Sequence, residues 1–231
     1  MKDKDTDYRY KYFTFPLKFL HVPPVGYKQR FDLVVQWSIY EFLRRQTFDP
    51  ETSVEEKERW ISKVLDFDGG SLDSWQAGWQ TLQKLIEGRE MYTSVRTSYL
   101  FEARDGELDP NLLLLVAAVR SIIGPKRRFV KTNRLAVVGR MYGNPDRMTR
   151  YKFDKLCDTA VGRGMLSRIP AGRGFYVSIR YDVDELVSAV ESRVNKEKTI
   201  RQQQVEAGRR IAMLKLQWNC KLKKNPQLIY N

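Results

Sequence analysis

Apolar positions recur at helical spacing along the first ninety residues. The segments 28–46, 52–70 and 71–89 each carry one apolar stripe, so each predicts an amphipathic helix. Ser53 and Ser71 stand where helix N-caps are expected. The opening segment is rich in aromatic residues and is interrupted by Pro16, Pro23 and Pro24, which predicts an extended arm with at most one short strand. The segment 90–104 is ambiguous between helix and strand, because its β-branched and aromatic residues favour a strand.

The pattern changes at Asp109. Asp109 and Pro110 predict the cap and first residue of a helix that is apolar almost all round and ends at Gly124. The sequence KRRFV then predicts a short strand, and Thr132 is the expected cap of a helix over 133–143. Asn144 and Pro145 are expected to open a further helix over 145–161. Alternating apolar and polar positions around AGRG predict a β-hairpin over 166–181.

This order of elements, over residues of about 109–181, resembles the winged helix-turn-helix of many DNA-binding proteins. The resemblance rests on element order, element length and charge. It implies that the 145–161 helix is a recognition helix for the major groove. It also implies that the hairpin is a wing that contacts the DNA backbone or the minor groove.

The sequence RDGELDP predicts a turn and a boundary between two parts of the chain. The expected fold is mainly α with small β: a helical domain over 1–105, a winged-helix domain over 109–195 and a basic helical tail over 196–231. The segments YFTFPLKFL and LVVQWSIYEFLRR loosely resemble the start of replication initiators of plasmids and phages. The near-neutral charge of residues 1–105 favours the other interpretation, a helical domain for homodimerisation or partner contact.

Positive charge is concentrated in one part of the chain. The net charge is +13, and residues 121–181 hold 14 Lys and Arg against 3 Asp and Glu, whereas residues 1–120 hold 17 against 19. A solvated surface usually mixes its signs, because crowded like charges repel one another. The asymmetry therefore indicates a polyanionic partner, with double-stranded DNA favoured.

The helix predicted at 145–161 places Phe153, Leu156, Cys157 and Ala160 on one apolar face, which leaves its cations on the opposite face. Arginines in a first helical turn can reach phosphates or guanine edges, and glycines around Arg173 let the backbone approach a phosphate. The candidate nucleic-acid-binding residues are Lys126, Arg127, Arg128, Lys131, Arg134, Asn144, Arg147, Arg150, Tyr151, Lys155, Arg168, Arg173 and Arg180. The alternative is an ordinary solvated surface whose acids pair with its bases at a spacing of three or four residues.

Catalytic and membrane functions find little support. His21 is the one histidine, so no histidine-based triad or metal cluster can be built. The segment GPKRRF lacks the spacing of a phosphate-binding loop, and Cys157 falls on an apolar face. The apolar run at 112–118 is far too short for a bilayer, and two cysteines suit a reducing cytoplasm. We therefore expect no catalysis, no cofactor, no metal and no membrane partner.

The sequence thus predicts a double-stranded DNA-binding protein that serves as a replication initiator or transcription regulator of a mobile element. Two other classes stay open. One is an RNA-binding or ribonucleoprotein component. The other is a non-enzymatic adaptor whose basic surface docks on an acidic protein partner.

Overall fold

The computed structural model describes residues 12–21, 26–67 and 69–224, and it describes side chains as far as Leu216. Over these residues the chain is mostly helical, with two small antiparallel sheets, which confirms the expectation of a mainly α protein with small β. Backbone contacts divide the chain after Leu186 into two compact units.

The first half of the chain surrounds a two-stranded sheet. Its elements are β1 (Tyr12–Pro16), a 3-10 helix (Leu17–Leu20), α1 (Tyr27–Arg44), α2 (Val54–Leu65), α3 (Leu72–Gln83), β2 (Tyr92–Arg96) and α4 (Thr97–Asp105). β1 and β2 pair antiparallel, with Tyr12 opposite Arg96. The ambiguous segment 90–104 is thus a strand that passes directly into a helix. Pro23 and Pro24 lie outside the described residues.

The second half follows the order of elements predicted from Asp109 onward. Its elements are α5 (Pro110–Ile123), β3 (Phe129–Thr132), α6 (Arg134–Tyr142), α7 (Arg150–Gly162), β4 (Ser167–Ala171), β5 (Gly174–Ser178) and α8 (Val183–Lys224). The three strands form one antiparallel sheet in the order β3-β5-β4. The predicted hairpin is therefore two strands of a sheet that β3 completes.

Local hydrogen bonds explain where several helices begin. Ser53 and Glu56 form a capping box at the start of α2, and Ser71 with Ser74 forms another at α3. At α5 the Asp109 side chain accepts a hydrogen bond from the Asn111 amide at 2.8 Å. These caps satisfy amide groups that a helix cannot pair internally, and they confirm the starts predicted at Ser53, Ser71 and Asp109.

The core is continuous across the turn predicted as a boundary. Its buried residues run from Phe13 in β1 to Val177 in β5. α5 lies at its centre: every residue from Leu112 to Val119 is buried, and the helix packs against β2 as well as α6. The residues up to Leu186 thus form a single compact unit, while separate roles for 1–105 and 109–195 stay a prediction.

Two predicted helix starts are wrong. α7 begins at Arg150 instead of 145, because the Thr149 side chain accepts from the Lys152 amide and so supplies the cap. Asn144 instead accepts from the Asp146 amide at 3.0 Å inside the turn. The cap of α6 is Asn133, which accepts from the Ala136 amide at 2.9 Å, because the backbone of Thr132 belongs to β3.

The basic tail expected over 196–231 is not a separate helix within the described residues. α8 runs without interruption from Val183 to Lys224. The junction is rich in Lys, Glu, Arg and Gln, which lose little side-chain freedom in a helix and carry no stop signal. Pro226, a residue type that ends helices, lies outside the described residues.

We predict that Gly174→Ala destabilises the protein by about 1–3 kcal/mol. A β-carbon at Gly174 would overlap the carbonyl oxygen of Thr132, which is backbone and cannot rotate away. Gly162→Ala is the control, since a β-carbon there meets nothing within 4 Å. Urea denaturation followed by circular dichroism measures both variants. Equal stability of the two variants would contradict the close approach of β5 to the end of β3.

Candidate nucleic-acid interface

α7 is amphipathic, as the sequence predicts. Phe153, Cys157 and Ala160 are buried against the core, which anchors the helix. Arg150, Tyr151 and the lysines of its outer face are exposed, and Tyr151 is 76% exposed. The outer face of α7 thus exposes cations and one aromatic ring to solvent.

The hairpin between β4 and β5 presents Arg173 at its tip. Ala171 pairs with Gly174, so Gly172 and Arg173 form a two-residue turn. Gly172 has φ of 62°, the left-handed value that the first central residue of a type II′ turn requires. Arg173 is exposed there and makes no ion pair with any described residue. Its guanidinium is therefore presented to solvent on a short, sharply turned scaffold.

A groove of about 460 Å³ lies between α7 and this hairpin. Four of the predicted residues line it: Arg134, Arg150, Arg168 and Arg173. Asp154 is the one carboxylate among the described residues of its wall. We call this surface, formed by the four arginines and Asp154, the basic groove. Four positive side chains against one negative side chain give the groove a net positive charge.

Asp154 holds two of these arginines in place. Its carboxylate accepts from Arg168 Nη2 at 2.7 Å and lies 3.6 Å from Arg150 Nε. The Arg168 guanidinium also packs over the Phe175 ring, 4.7 Å from the ring centroid. One carboxylate therefore orients two guanidiniums without neutralising both, and the aromatic contact fixes the position of Arg168.

Arg134 and Arg147 have structural contacts at the turn between α6 and α7. Arg134 Nη1 donates to the Met148 carbonyl oxygen at 2.6 Å, which ties the first turn of α6 to the approach of α7. Arg147 lies in the turn rather than on α7, and its guanidinium is 5.0 Å from the Tyr142 ring centroid. Burial in turn raises the pKa of Tyr142 to about 12, and its hydroxyl donates to Asn111 Oδ1.

The remaining basic cluster at β3 belongs to a different surface. Lys131 pairs with Tyr176, whereas Arg168 pairs with Val177, which is buried in the core. Because successive residues of a strand point to opposite faces, Lys131 and Tyr176 lie on the face of the sheet that points away from the core. The basic groove and Lys131 are thus on opposite sides of this sheet.

That outer face carries three neighbouring aromatic rings. Phe129 lies 6.1 Å from Tyr176 and 6.3 Å from Tyr181, measured between ring centroids, and all three residues are half-buried. Arg128 donates to the Tyr181 hydroxyl at 3.2 Å, and Lys131 Nζ lies 5.8 Å from the Tyr176 centroid. We call these five residues the aromatic sheet face. Sequence reasoning missed the rings: the register of β3 against β5 brings Phe129 and Tyr176 together, and the segment after β5 places Tyr181 beside Phe129.

The other predicted residues are less constrained. Lys126, Arg127, Tyr151 and Lys155 are exposed and make no ion pair within the described part of the chain. Arg180 lies beyond the end of β5 and lines a second cavity with Arg96 and Arg120. The structure thus divides the predicted residues among the basic groove, the outer face of α7, the aromatic sheet face with the loop before β3, the α6–α7 turn and this cavity.

The histidine and the described cysteine are placed in structural environments. His21 Nε2 hydrogen bonds to the Arg140 carbonyl oxygen at 2.7 Å, which joins the 3-10 helix to α6. Cys157 is 2% exposed. Burial raises the pKa of its thiol to about 12, so the thiol is protonated at neutral pH.

Comparisons with protein-family models, curated proteins and solved structures gave no match. Among the described residues, no cluster of three His, Cys, Asp or Glu side chains is arranged to hold a metal ion. Within the same residues, no helix combines the length and apolar character needed to cross a membrane.

We predict that Cys157 resists alkylation by iodoacetamide in the native protein up to pH 9. The thiolate is the reactive form, and a raised pKa keeps the thiol protonated throughout this range. Peptide mass spectrometry after a timed reaction measures the modification. The same cysteine should react fully in concentrated urea, which is the control. Rapid native labelling at pH 8 would show that the site opens to solvent.

Proposed function

We propose that the protein binds double-stranded DNA through the basic groove and the exposed face of α7. The observation that carries this proposal is the convergence of four arginines against one carboxylate in a groove between a helix and a hairpin. Phosphates are the natural counter-ions of such a surface, because guanidinium groups bind phosphate oxygens in pairs.

The order of elements supports a winged-helix mode of binding. α6, the turn at 143–149 and α7 supply a helix pair, and the β4–β5 hairpin supplies the wing. In this mode α7 enters the major groove, where Arg150 and Tyr151 occupy its first turn and lie beside base edges or phosphates. Arg173 at the hairpin tip contacts the backbone or the minor groove.

Asp154 has a defined role in this mode. A carboxylate near DNA repels phosphate unless it is paired with a cation or a base donor. The contacts to Arg168 and Arg150 supply such pairing, so Asp154 positions the two guanidinium groups to bind phosphates of the DNA backbone. Phosphate contacts of this kind provide affinity and salt sensitivity, whereas base contacts from α7 provide sequence choice.

The biological role that fits this activity is replication initiation or transcription regulation in a mobile element, in a cytoplasmic setting. Residues 1–105 then serve dimerisation or partner contact, in keeping with their near-neutral charge. The basic groove and α7 both lie in the second half of the compact unit, so the first half remains free for these roles.

We predict that Arg150→Glu and Arg173→Glu each weaken duplex binding by about tenfold or more and lower the salt slope by about one unit per lost phosphate contact. Lys63→Glu is the matched control, because Lys63 is exposed on α2 and its reversal changes the net charge equally. Fluorescence anisotropy with a labelled genomic fragment, selected by pull-down, measures affinity between 50 and 200 mM salt.

For a contact with six to ten phosphates, wild-type affinity falls about 10³–10⁵-fold over that salt range. Equal losses in Lys63→Glu and the two groove variants would show a non-specific charge effect and contradict the proposal. Binding that is unaffected by either groove variant, or no duplex binding at all, would favour the adaptor class with an acidic protein partner.

A second candidate function is binding of single-stranded RNA or DNA on the aromatic sheet face. Proteins that bind single strands stack bases on aromatic side chains of a sheet while cations contact the backbone. Phe129, Tyr176 and Tyr181 offer such rings, and Arg128 and Lys131 lie at their edges. This surface supports the RNA-binding alternative independently of the basic groove.

We predict that Tyr176→Leu weakens single-strand binding by about five- to a hundredfold, because one stacked base contributes about 1–3 kcal/mol. Tyr151→Leu removes an exposed ring from α7 and serves as the control. Competition of single-stranded RNA, double-stranded RNA and duplex DNA in a filter-binding assay measures the preference. A preference for single strands that is lost in Tyr151→Leu and kept in Tyr176→Leu would assign it to α7.

A further inference from the structure

A cavity of about 400 Å³ lies where the β1–β2 sheet, α5 and the residues after β5 meet. Three arginines from separate elements line it: Arg96 at the end of β2, Arg120 in the last turn of α5, and Arg180 after β5. Among the described residues of its wall there is no aspartate or glutamate. We call this site the arginine cavity.

The Arg120 side chain has only some of its hydrogen-bond donors paired within the described residues. Its Nε donates to Ser94 Oγ at 2.9 Å, and its buried Nη1 finds no hydrogen-bond acceptor among the described residues. Burial, followed by the nearby charge of Arg180, lowers the pKa of Arg120. A partly buried guanidinium facing a like charge is unfavourable unless an anion compensates both.

Arg96 approaches the same space from the two-stranded sheet. Its guanidinium lies 5.6 Å from the Tyr99 ring centroid, and a hydrogen bond with the Tyr12 side chain raises its pKa. The hydroxyl groups of Thr14 and Ser94 also line the cavity. Guanidinium groups together with hydroxyl donors are suited to bind phosphate oxygens.

The size and lining of the cavity indicate a ligand that is larger than an inorganic phosphate ion. Ligand sites for small molecules usually enclose about 300–1,000 Å³, so 400 Å³ admits a phosphate with an attached group. Tyr12 is 45% exposed, and Tyr99 lines the same wall, so two rings are available to a planar group. Val95, Val116 and Met165 add apolar surface between them.

We propose that the arginine cavity binds a terminal phosphoryl group. Its three guanidiniums match a dianion, which a terminal phosphate is near neutral pH and a phosphodiester within a strand is not. Two sources share this chemistry: a phosphorylated small molecule of mononucleotide size and the 5′ end of a nucleic-acid strand. The site goes beyond the proposed duplex binding, and only Arg180 was among the candidate residues for that activity.

Isothermal titration calorimetry on the full-length protein at low salt tests the proposal with five probes: inorganic phosphate, adenosine 5′-monophosphate, adenosine, a tetranucleotide with a 5′-phosphate and the same tetranucleotide without it. We expect the phosphorylated probes to bind and the unphosphorylated ones to fail. Arg180→Gln, at an exposed residue that should leave the fold intact, should weaken binding by about tenfold or more, because one charge-assisted hydrogen-bonding group is lost. Arg120→Gln should have at least as large an effect.

Arg201→Gln is the matched control, since it removes the same charge from an exposed position of α8. Equal affinity in Arg180→Gln and Arg201→Gln, or failure of every phosphorylated probe to bind the wild type, would overturn the proposal. Tighter binding of the phosphorylated tetranucleotide than of the mononucleotide would assign the source to a strand end, and the reverse order to a small molecule.

The variant Arg150→Glu separates this site from the basic groove. It should keep phosphate binding while its duplex binding is weakened, so failure of either proposal leaves the other measurable. Loss of mononucleotide binding in folded Arg150→Glu would instead place the phosphate in the groove and overturn the assignment to the arginine cavity.

Discussion

Burial of α5 on all sides is the interaction on which the described fold up to Leu186 depends. Its leucines and alanines pack against both β2 and α6, and the buried Thr93 hydroxyl donates to the Ala117 carbonyl oxygen at 2.6 Å. Each fully buried leucine contributes about 1.5–3 kcal/mol relative to exposure. Through α6 and α7 this helix positions the basic groove, and through Arg120 it contributes to the arginine cavity.

The two halves of the compact unit differ in how their charged side chains are paired. In the first half, several described cations form ion pairs with different acids: Glu41 is paired with Arg44 and Arg45, and Glu90 with Lys18. Within 121–181 the described ion pairs both use Asp154. Ion pairs at or near the surface contribute little stability, but they decide how much positive potential remains for a partner. The second half therefore retains the unbalanced charge that an anionic ligand would neutralise.

Local signals predicted much of this fold. Ser53, Ser71 and Asp109 were identified as caps because capping depends on residues a few positions apart. The predicted start of α7 is wrong because Asn144-Pro145 is equally typical of a turn. The cap is instead Thr149, which follows the turn that joins two packed helices. Local signals also gave no indication that α8 would continue through the junction near residue 196.

The candidate sites were predictable only where one element supplies them. The exposed cations of α7 follow from its helical period, and the hairpin tip follows from its glycines. The arginine cavity combines residues of β2, α5 and the segment after β5, which are far apart in the sequence. The aromatic sheet face depends on how the strands pair. Neither arrangement can be predicted from residues that are close together in the sequence. Arg180 was predicted as a DNA contact, and its location beside Arg96 and Arg120 became visible only in three dimensions.

We propose that α7 and the β4–β5 hairpin form the surface that meets nucleic acid. Hydrogen exchange measured by mass spectrometry, with and without a saturating DNA duplex at low salt, locates that surface along the chain. We expect slowed exchange in peptides that cover 149–162 and 167–178, and little change over α2 and α3. Protection confined to α8, or to residues of the first half, would contradict it.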